Sequence, residues 1–279
     1  MLISKAFDLY KEEYIRLKNQ SKRTEELHDG AKKLIMQYLG DKDISELTLA
    51  DIREWQAQLS KTRGANTIRV YIIRLRAVMG YLNIRKIPCM DVRLVPVPQR
   101  EATVPTFLDE DEVKAMIERS YSARNAFIIS LIYSSGIRLS ELIRLNRGQI
   151  RNRSFTVIGK GNKPRLCFID ERTEILMHRY LRTRTDNDPA LVVSEEFKHR
   201  MTATNVQLLI RNSAARAGIH KHVTPHTLRH SFATNFLRNN GNMRYLADLL
   251  GHASMDTTMM YAHVVNNDLQ SAYAKYHTI

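Results

Sequence analysis

A proline-punctuated stretch, VPVPQREATVPT at residues 95–106, divides the chain into two parts that must each find a core of their own. Proline fixes φ and has no amide donor, so three of them within twelve residues of extended, polar sequence interrupt any helix or sheet. The stretch is therefore read as a linker over 96–106, between domains at 1–95 and 107–279. Both parts are of ordinary domain size, large enough to bury a core.

Apolar spacing sets the fold class. Residues 3–18 and 22–38 repeat apolar positions every three or four residues, as one face of a helix does. Thr48 can cap a helix whose stripe is Ile52, Trp55 and Leu59, and 66–81 turns Ile68, Ile72, Leu75 and Met79 inward. On that helix Arg69, Arg74 and Arg76 are expected outward, as a basic face. In the second part, Asp109 and Ser122 can cap helices, the second ending at Gly136. Next, SFTVI and PRLCFI flank the turn GKGNK and read as a hairpin. Helices follow over 171–182, 204–217, 225–238 and 242–250, with a tail helix after Tyr261. The expected fold is mainly α with a small β-hairpin (α+β), its N-terminal part a helical bundle.

Charge narrows the partner. The net charge of +14 is shared, with 19 Lys and Arg against 12 Asp and Glu in residues 1–100 and 24 against 17 in 101–279. A basic tail would concentrate it at one end, whereas an even spread suits two domains that both meet a polyanion. Nucleic acid is the default partner. No apolar run approaches the roughly 18 residues of a membrane span. The amphipathic start MLISKAFDLYKEEY is unlike a secretion signal, and two cysteines make no disulfide scaffold, so a reducing cytoplasm is expected. The sequence has no glycine-rich phosphate loop ending in GK plus Ser or Thr and no obvious carboxylate cluster for two metals, so neither ATP nor metal is expected.

Three segments carry candidate chemistry. In TPHTLRHSFATNFLRNN, Leu228, Phe232 and Phe236 form the expected buried stripe. His226 and Arg229 then share a neighbouring face close to the helix N-terminus, an arrangement suited to an anion. His226 and His230 are four apart, as metal ligands can be, but no acid or cysteine nearby completes a zinc site. In YSSGIRLSEL, Arg138 follows a helix-ending glycine, and Glu141 three residues on can orient it. In LLGHASMDTTMMYAHV, His252 follows another such glycine, and Tyr261 comes nine residues later.

Taken together, GIRLSEL, HTLRH and LGHASMDTTMMYAHV resemble the three signature segments of the tyrosine recombinase, or phage integrase, family, and GKGNK resembles its catalytic hairpin turn. The likeness spans 107–279, and in size and layout is Xer-like. Residues 1–95 are similar in size and helical character to the family's core-DNA-binding domain. Departures are small: Ser135 stands where threonine is frequent, and Ala262 where a hydroxyl residue often follows the tyrosine.

The resemblance implies Tyr261 as nucleophile, Arg138 and Arg229 as phosphate clamp, Lys160 as general acid, and His226 and His252 as supporting proton-transfer and hydrogen-bonding groups. Glu141 would orient Arg138, and Lys163 would contact a phosphate. These residue types suit the chemistry. A phosphodiester repels a nucleophile until its charge is neutralised, and guanidiniums offer paired donors to its oxygens. A phenol of pKa ~10 is ionised in about one molecule in a thousand at neutral pH, so an imidazole must take its proton, with His226 preferred to His252. A lysine can then protonate the departing 5′ oxygen. Tyr245, Tyr273 and Tyr276 lack the preceding LGH and are expected to serve as packing or interface residues.

The implied partner is double-stranded DNA with inverted-repeat core sites, bound by a homo- or hetero-tetramer whose C-terminal tails dock between subunits. The implied function is site-specific recombination, either Xer-like dimer resolution or mobile-element integration. The alternatives are a type IB topoisomerase and a catalytically silent DNA-binding relative.

Overall fold

The computed structural model describes residues 1–18, 20, 22–99, 105–159, 163–252, 254, 255, 257–259 and 261. The chain divides into two compact units, Met1–Thr103 and Val104–Ile279.

The first unit is a helical bundle of α1 (Ile3–Tyr10), α2 (Lys22–Leu39), α3 (Leu49–Ser60) and α4 (Ala65–Ile84). A π-helical turn, Lys11–Arg16, continues α1, a local widening that apolar spacing does not signal. α3 starts where expected. The Thr48 hydroxyl accepts from the Asp51 amide, and the Asp51 carboxylate accepts from the Thr48 amide at 2.8 Å. Such reciprocal caps contribute about 1 kcal/mol. Trp55, Ile52, Leu59, Ile72, Leu75 and Met79 meet Ile3 and Phe7 in the core.

The expected basic face of α4 is partly covered. Arg69, Arg74 and Arg76 are half-buried there. Arg76 donates to the Val95 carbonyl, because the extended chain after α4 returns to the bundle and buries Val95 completely.

The second unit surrounds α6 (Ala123–Ser135). Phe127, Ile128, Ile129, Leu131 and Ile132 are wholly buried, and a helix apolar on all sides must be enclosed. α5 (Glu110–Glu118), α8 (Glu171–Arg182), α9 (Ala203–Arg216) and α10 (Pro225–Arg238) pack around it. Removing the Phe127 ring would cost roughly 3–5 kcal/mol.

The hairpin forms as read. β1 (Ser154–Ile158) pairs antiparallel with β2 (Pro164–Phe168), with Thr156 opposite Leu166. Phe155, Val157 and Cys167 point into the core, while Ile158, Leu166 and Phe168 face out. The helix α7 (Leu139–Leu142) follows α6 at once, and α11 (Met243–Leu250) ends at Gly251.

The α10 stripe is not the expected one. Leu228 is fully buried, but Phe232 and Phe236 are only partly so. The innermost face instead carries Thr227, Ser231, Ala233, Thr234 and Asn235. Small side chains let α10 lie close to its neighbours, and internal partners satisfy several hydroxyls: Ser231 accepts from the Leu108 amide at 2.8 Å.

Cys89 and Cys167 are both free thiols. Among the described residues, no helix is long and apolar enough to cross a membrane.

Candidate active site

Two glycine-terminated helices create the backbone of the site. α6 ends at Gly136 and α11 at Gly251, both with left-handed φ near +60°. A Cβ at Gly136 would lie 2.6 Å from the Phe232 ring, and one at Gly251 would lie 2.7 Å from Arg165 Cδ. Only glycine permits both the turn and the approach. Each turn leaves carbonyls aimed at a guanidinium. Arg229 donates to the carbonyls of Gly136 and Leu250, the latter at 2.7 Å, and Arg138 donates to Gly251 at 3.1 Å.

Arg229 comes from the first turns of α10, where Thr224 caps and Pro225 begins the helix. It is 4% exposed. Burial, with Arg138 and Arg165 nearby, lowers its pKa to about 10, which still leaves it cationic at neutral pH. The pocket is thus electropositive although its main charge is sunk.

A carboxylate fixes the second arginine. Glu141, on α7, accepts from the Arg138 amide at 2.8 Å and from its guanidinium at 3.0 Å. Arg165 of β2 grips the same carboxylate with both ends of its fork, at 2.6 and 2.7 Å, and donates through Nε to the Leu249 carbonyl. Burial alone would raise the Glu141 pKa. The two arginines outweigh it and hold the group below the usual carboxylate range.

The imidazoles have distinct surroundings. His252 places Nε2 3.3 Å from Arg229 and Nδ1 2.8 Å from the Thr258 hydroxyl. Burial first, then Arg229 and Arg138, lowers its pKa to about 4. His226 is exposed, and desolvation with the same two arginines lowers its pKa as well. His230, one turn along α10, lies with Nδ1 2.7 Å from the Tyr261 hydroxyl.

Tyr261 itself is 2% exposed, packed with Ala233, Leu246 and Leu250. Its ring lies nearly parallel to His252, with centroids 6.4 Å apart. Burial raises the phenol pKa, while Arg229 and Arg138 pull it back. Tyr245, by contrast, is 66% exposed on α11.

The fold therefore gathers Arg138, Arg229, Glu141, His252 and Tyr261 at one place, with His226 on the rim. Lys163 stands exposed beside them and lines, with Arg138, Gly159, Arg165 and His252, a cleft of about 990 Å³. Lys160 and the tail after Tyr261 lie outside the described residues. Among the described residues, no cluster of His, Cys, Asp or Glu could hold a metal ion. Two members escaped the sequence reading. Arg165 was signalled only by its inward register in β2, alternating with Cys167, and His230 only by its spacing from His226.

Residues 106–268 match the sequence model of the phage integrase family. The chain is 30% identical over 262 residues to the tyrosine recombinase XerD of Oceanobacillus iheyensis, covering 87% of this chain and 88% of that protein. It is 32% identical over 233 residues to XerA of Pyrococcus horikoshii, covering 82% and 80%. A crystal structure of XerA recombinase aligns with 28% identity and a TM-score of 0.56, covering 99% of this chain and 98% of that one. The fold is also that of a lambda integrase dimer bound to a COC′ core site, at TM-score 0.80 and 14% identity over 94% and 95% of the two chains.

Proposed function

We propose a division of labour around Tyr261 on the premise that the chain belongs to the phage integrase family of tyrosine recombinases. It is a site-specific tyrosine recombinase, an enzyme of DNA strand cutting and rejoining. What remains is which side chain does what.

Arg138 and Arg229 bind the non-bridging oxygens of the scissile phosphate, exchanging the carbonyls of Gly136, Leu250 and Gly251 for phosphate oxygens. Glu141 orients Arg138, and Arg165 holds Glu141. His226 and His252 hydrogen-bond to the phosphate. The Tyr261 oxygen attacks phosphorus, the bond to the 5′ oxygen breaks, and Lys160 protonates the departing oxygen. The product is a 3′-phosphotyrosyl link and a free 5′ hydroxyl. The number of phosphoester bonds is unchanged, so no ATP is consumed. Lys163 touches a neighbouring phosphate.

Residues 1–95 are the core-DNA-binding domain. Arg69, Arg74 and Arg76 turn their guanidiniums to DNA phosphates there, which for Arg76 requires release of Val95. The substrate is duplex DNA with inverted-repeat core sites, and a tetramer held by C-terminal tails acts on two duplexes in the cytoplasm. Dimer resolution and mobile-element integration both suit this assembly.

One observation carries the reading: two guanidiniums and an imidazole converge where helix-ending glycines leave room, with one phenol beside them. Strand exchange between two differently labelled duplexes tests it. A recombinase joins label from one to the other, whereas a topoisomerase reseals each strand in place.

A further inference from the structure

The phenol oxygen of Tyr261 touches an imidazole that the assignment above does not use. His230 Nδ1 lies 2.7 Å from it, and the two ring centroids are 5.5 Å apart. His226 sits one turn back along the same helix, with its ring 6.5 Å from that of His230. His252 spends Nδ1 on Thr258 and turns Nε2 to Arg229. Among the described side chains, His230 is the one with a hydrogen bond to the nucleophile's oxygen.

We propose that His230 is a catalytic residue: it holds the Tyr261 hydroxyl through Nδ1 and takes the phenol proton as Tyr261 attacks DNA. This rests on the recombinase reading and replaces His226 as the expected acceptor. The balance is simple. The bond from Oη to phosphorus forms, the phosphorus–5′-oxygen bond breaks, and the phenol proton moves to Nδ1. The 5′ oxygen gains a separate proton from Lys160. When a 5′ hydroxyl attacks the phosphotyrosine, its proton passes back to Lys160, and His230 returns its own to the leaving phenol.

The surroundings make this acceptor dependent on substrate. Tyr261, His226, Arg229 and His252 are the titratable groups that act on His230 or are acted on by it. Burial, then His226 and Arg229, lowers its pKa to about 4, so it is neutral and able to accept at physiological pH. Without DNA the phenol therefore keeps its proton. A phosphate anion on Arg229 offsets that cation and raises the basicity of the imidazole beside it. Proton transfer is then favoured only when there is something to attack.

The experiment uses the full chain and a nicked duplex bearing its site, selected from a random pool on Tyr261→Phe protein. A 5′-bridging phosphorothiolate at the scissile position makes the leaving thiol independent of Lys160. Single-turnover adduct formation is followed from pH 6.5 to 10 for wild type, His230→Ala and His230→Gln, with DNA binding measured by mobility shift. At pH 7 both variants should be slower by about 100-fold or more while binding DNA within about 2-fold of wild type. Glutamine can accept a hydrogen bond but not a proton, so it should not rescue. The deficit should shrink as pH approaches the ionisation of the phenol. Variants that react at wild-type rate, a deficit that stays constant with pH, or full rescue by glutamine would each overturn the assignment. A wild-type protein that formed no adduct would overturn the recombinase reading instead.

Discussion

Arg165 and Glu141 meet as a two-pronged ion pair, Nη1 to Oε1 at 2.6 Å and Nη2 to Oε2 at 2.7 Å, with both side chains under 10% exposed. The pair fastens β2 to α7, and through Glu141 it fixes Arg138. The strand is thereby tied to the carboxylate that also holds Arg138.

Replacing Glu141 by Gln should therefore do double damage. It leaves Arg165 buried beside Arg138 without a counter-charge, which in such pairs costs about 3–5 kcal/mol. Chemical denaturation should show that loss, and adduct formation should fall with it. Wild-type stability with normal activity would remove Glu141 from the mechanism. The same group has a pH signature. Its folded pKa is depressed, so its stabilisation is present above the ordinary value of 4.5 and is lost as pH falls below that value.

Arg229→Lys and Arg138→Lys keep the charge but lose the fork. Each should lower the rate of adduct formation by roughly 10²–10³-fold, the scale of losing one preorganised donor. Binding to duplex DNA should change by only a few-fold, since many other cations remain. Single-turnover kinetics beside a binding titration separates the two. An equal loss in both would mean that these arginines merely hold DNA.

His230 and His252 predict acid sensitivity. Both pKa values are lowered to about 4 from 6.5, so the unfolded chain binds their protons first. Their contribution is present above pH 6.5 and drains away between 6.5 and 4. Urea midpoints of wild type should drop more steeply over that window than those of His230→Phe/His252→Phe. Parallel slopes would show that neither imidazole is held neutral by the fold.

Gly251→Ala tests the backbone of the site. The φ of +60° and a Cβ 2.7 Å from Arg165 Cδ together predict a loss of about 1–3 kcal/mol. Because the Gly251 carbonyl receives Arg138, adduct formation should also slow. A thermally unchanged variant would show that the chain relaxes there freely.

Much of this was legible before any coordinates. Thr224 and Pro225 mark the start of α10 unambiguously, and the strands around GKGNK pair as their composition suggests. Helix-ending glycines announced Gly136 and Gly251, beside which Arg138 and His252 stand. What could not be read depends on tertiary neighbours. The α7 turn has four residues, too few to show a period. Phe232 and Phe236 look like core because spacing counts apolar positions and cannot see that Ser231 and Asn235 find polar partners inside. Arg165 is a charge at an inward strand position, which alternation would assign to an apolar residue, and the Glu141 carboxylate and Leu249 carbonyl explain it. The sequence around His230 suggests only a metal-ligand spacing from His226, because its partner Tyr261 lies thirty-one residues away.

The central claim is that one phenol attacks the phosphate these cations surround. Wild type and Tyr261→Phe should be incubated with a nicked duplex carrying the selected site, and the covalent product digested and mapped by mass spectrometry. The account predicts a DNA-linked peptide containing Tyr261 from wild type and none from the variant. An adduct on another residue, or one formed at full yield by Tyr261→Phe, would contradict it.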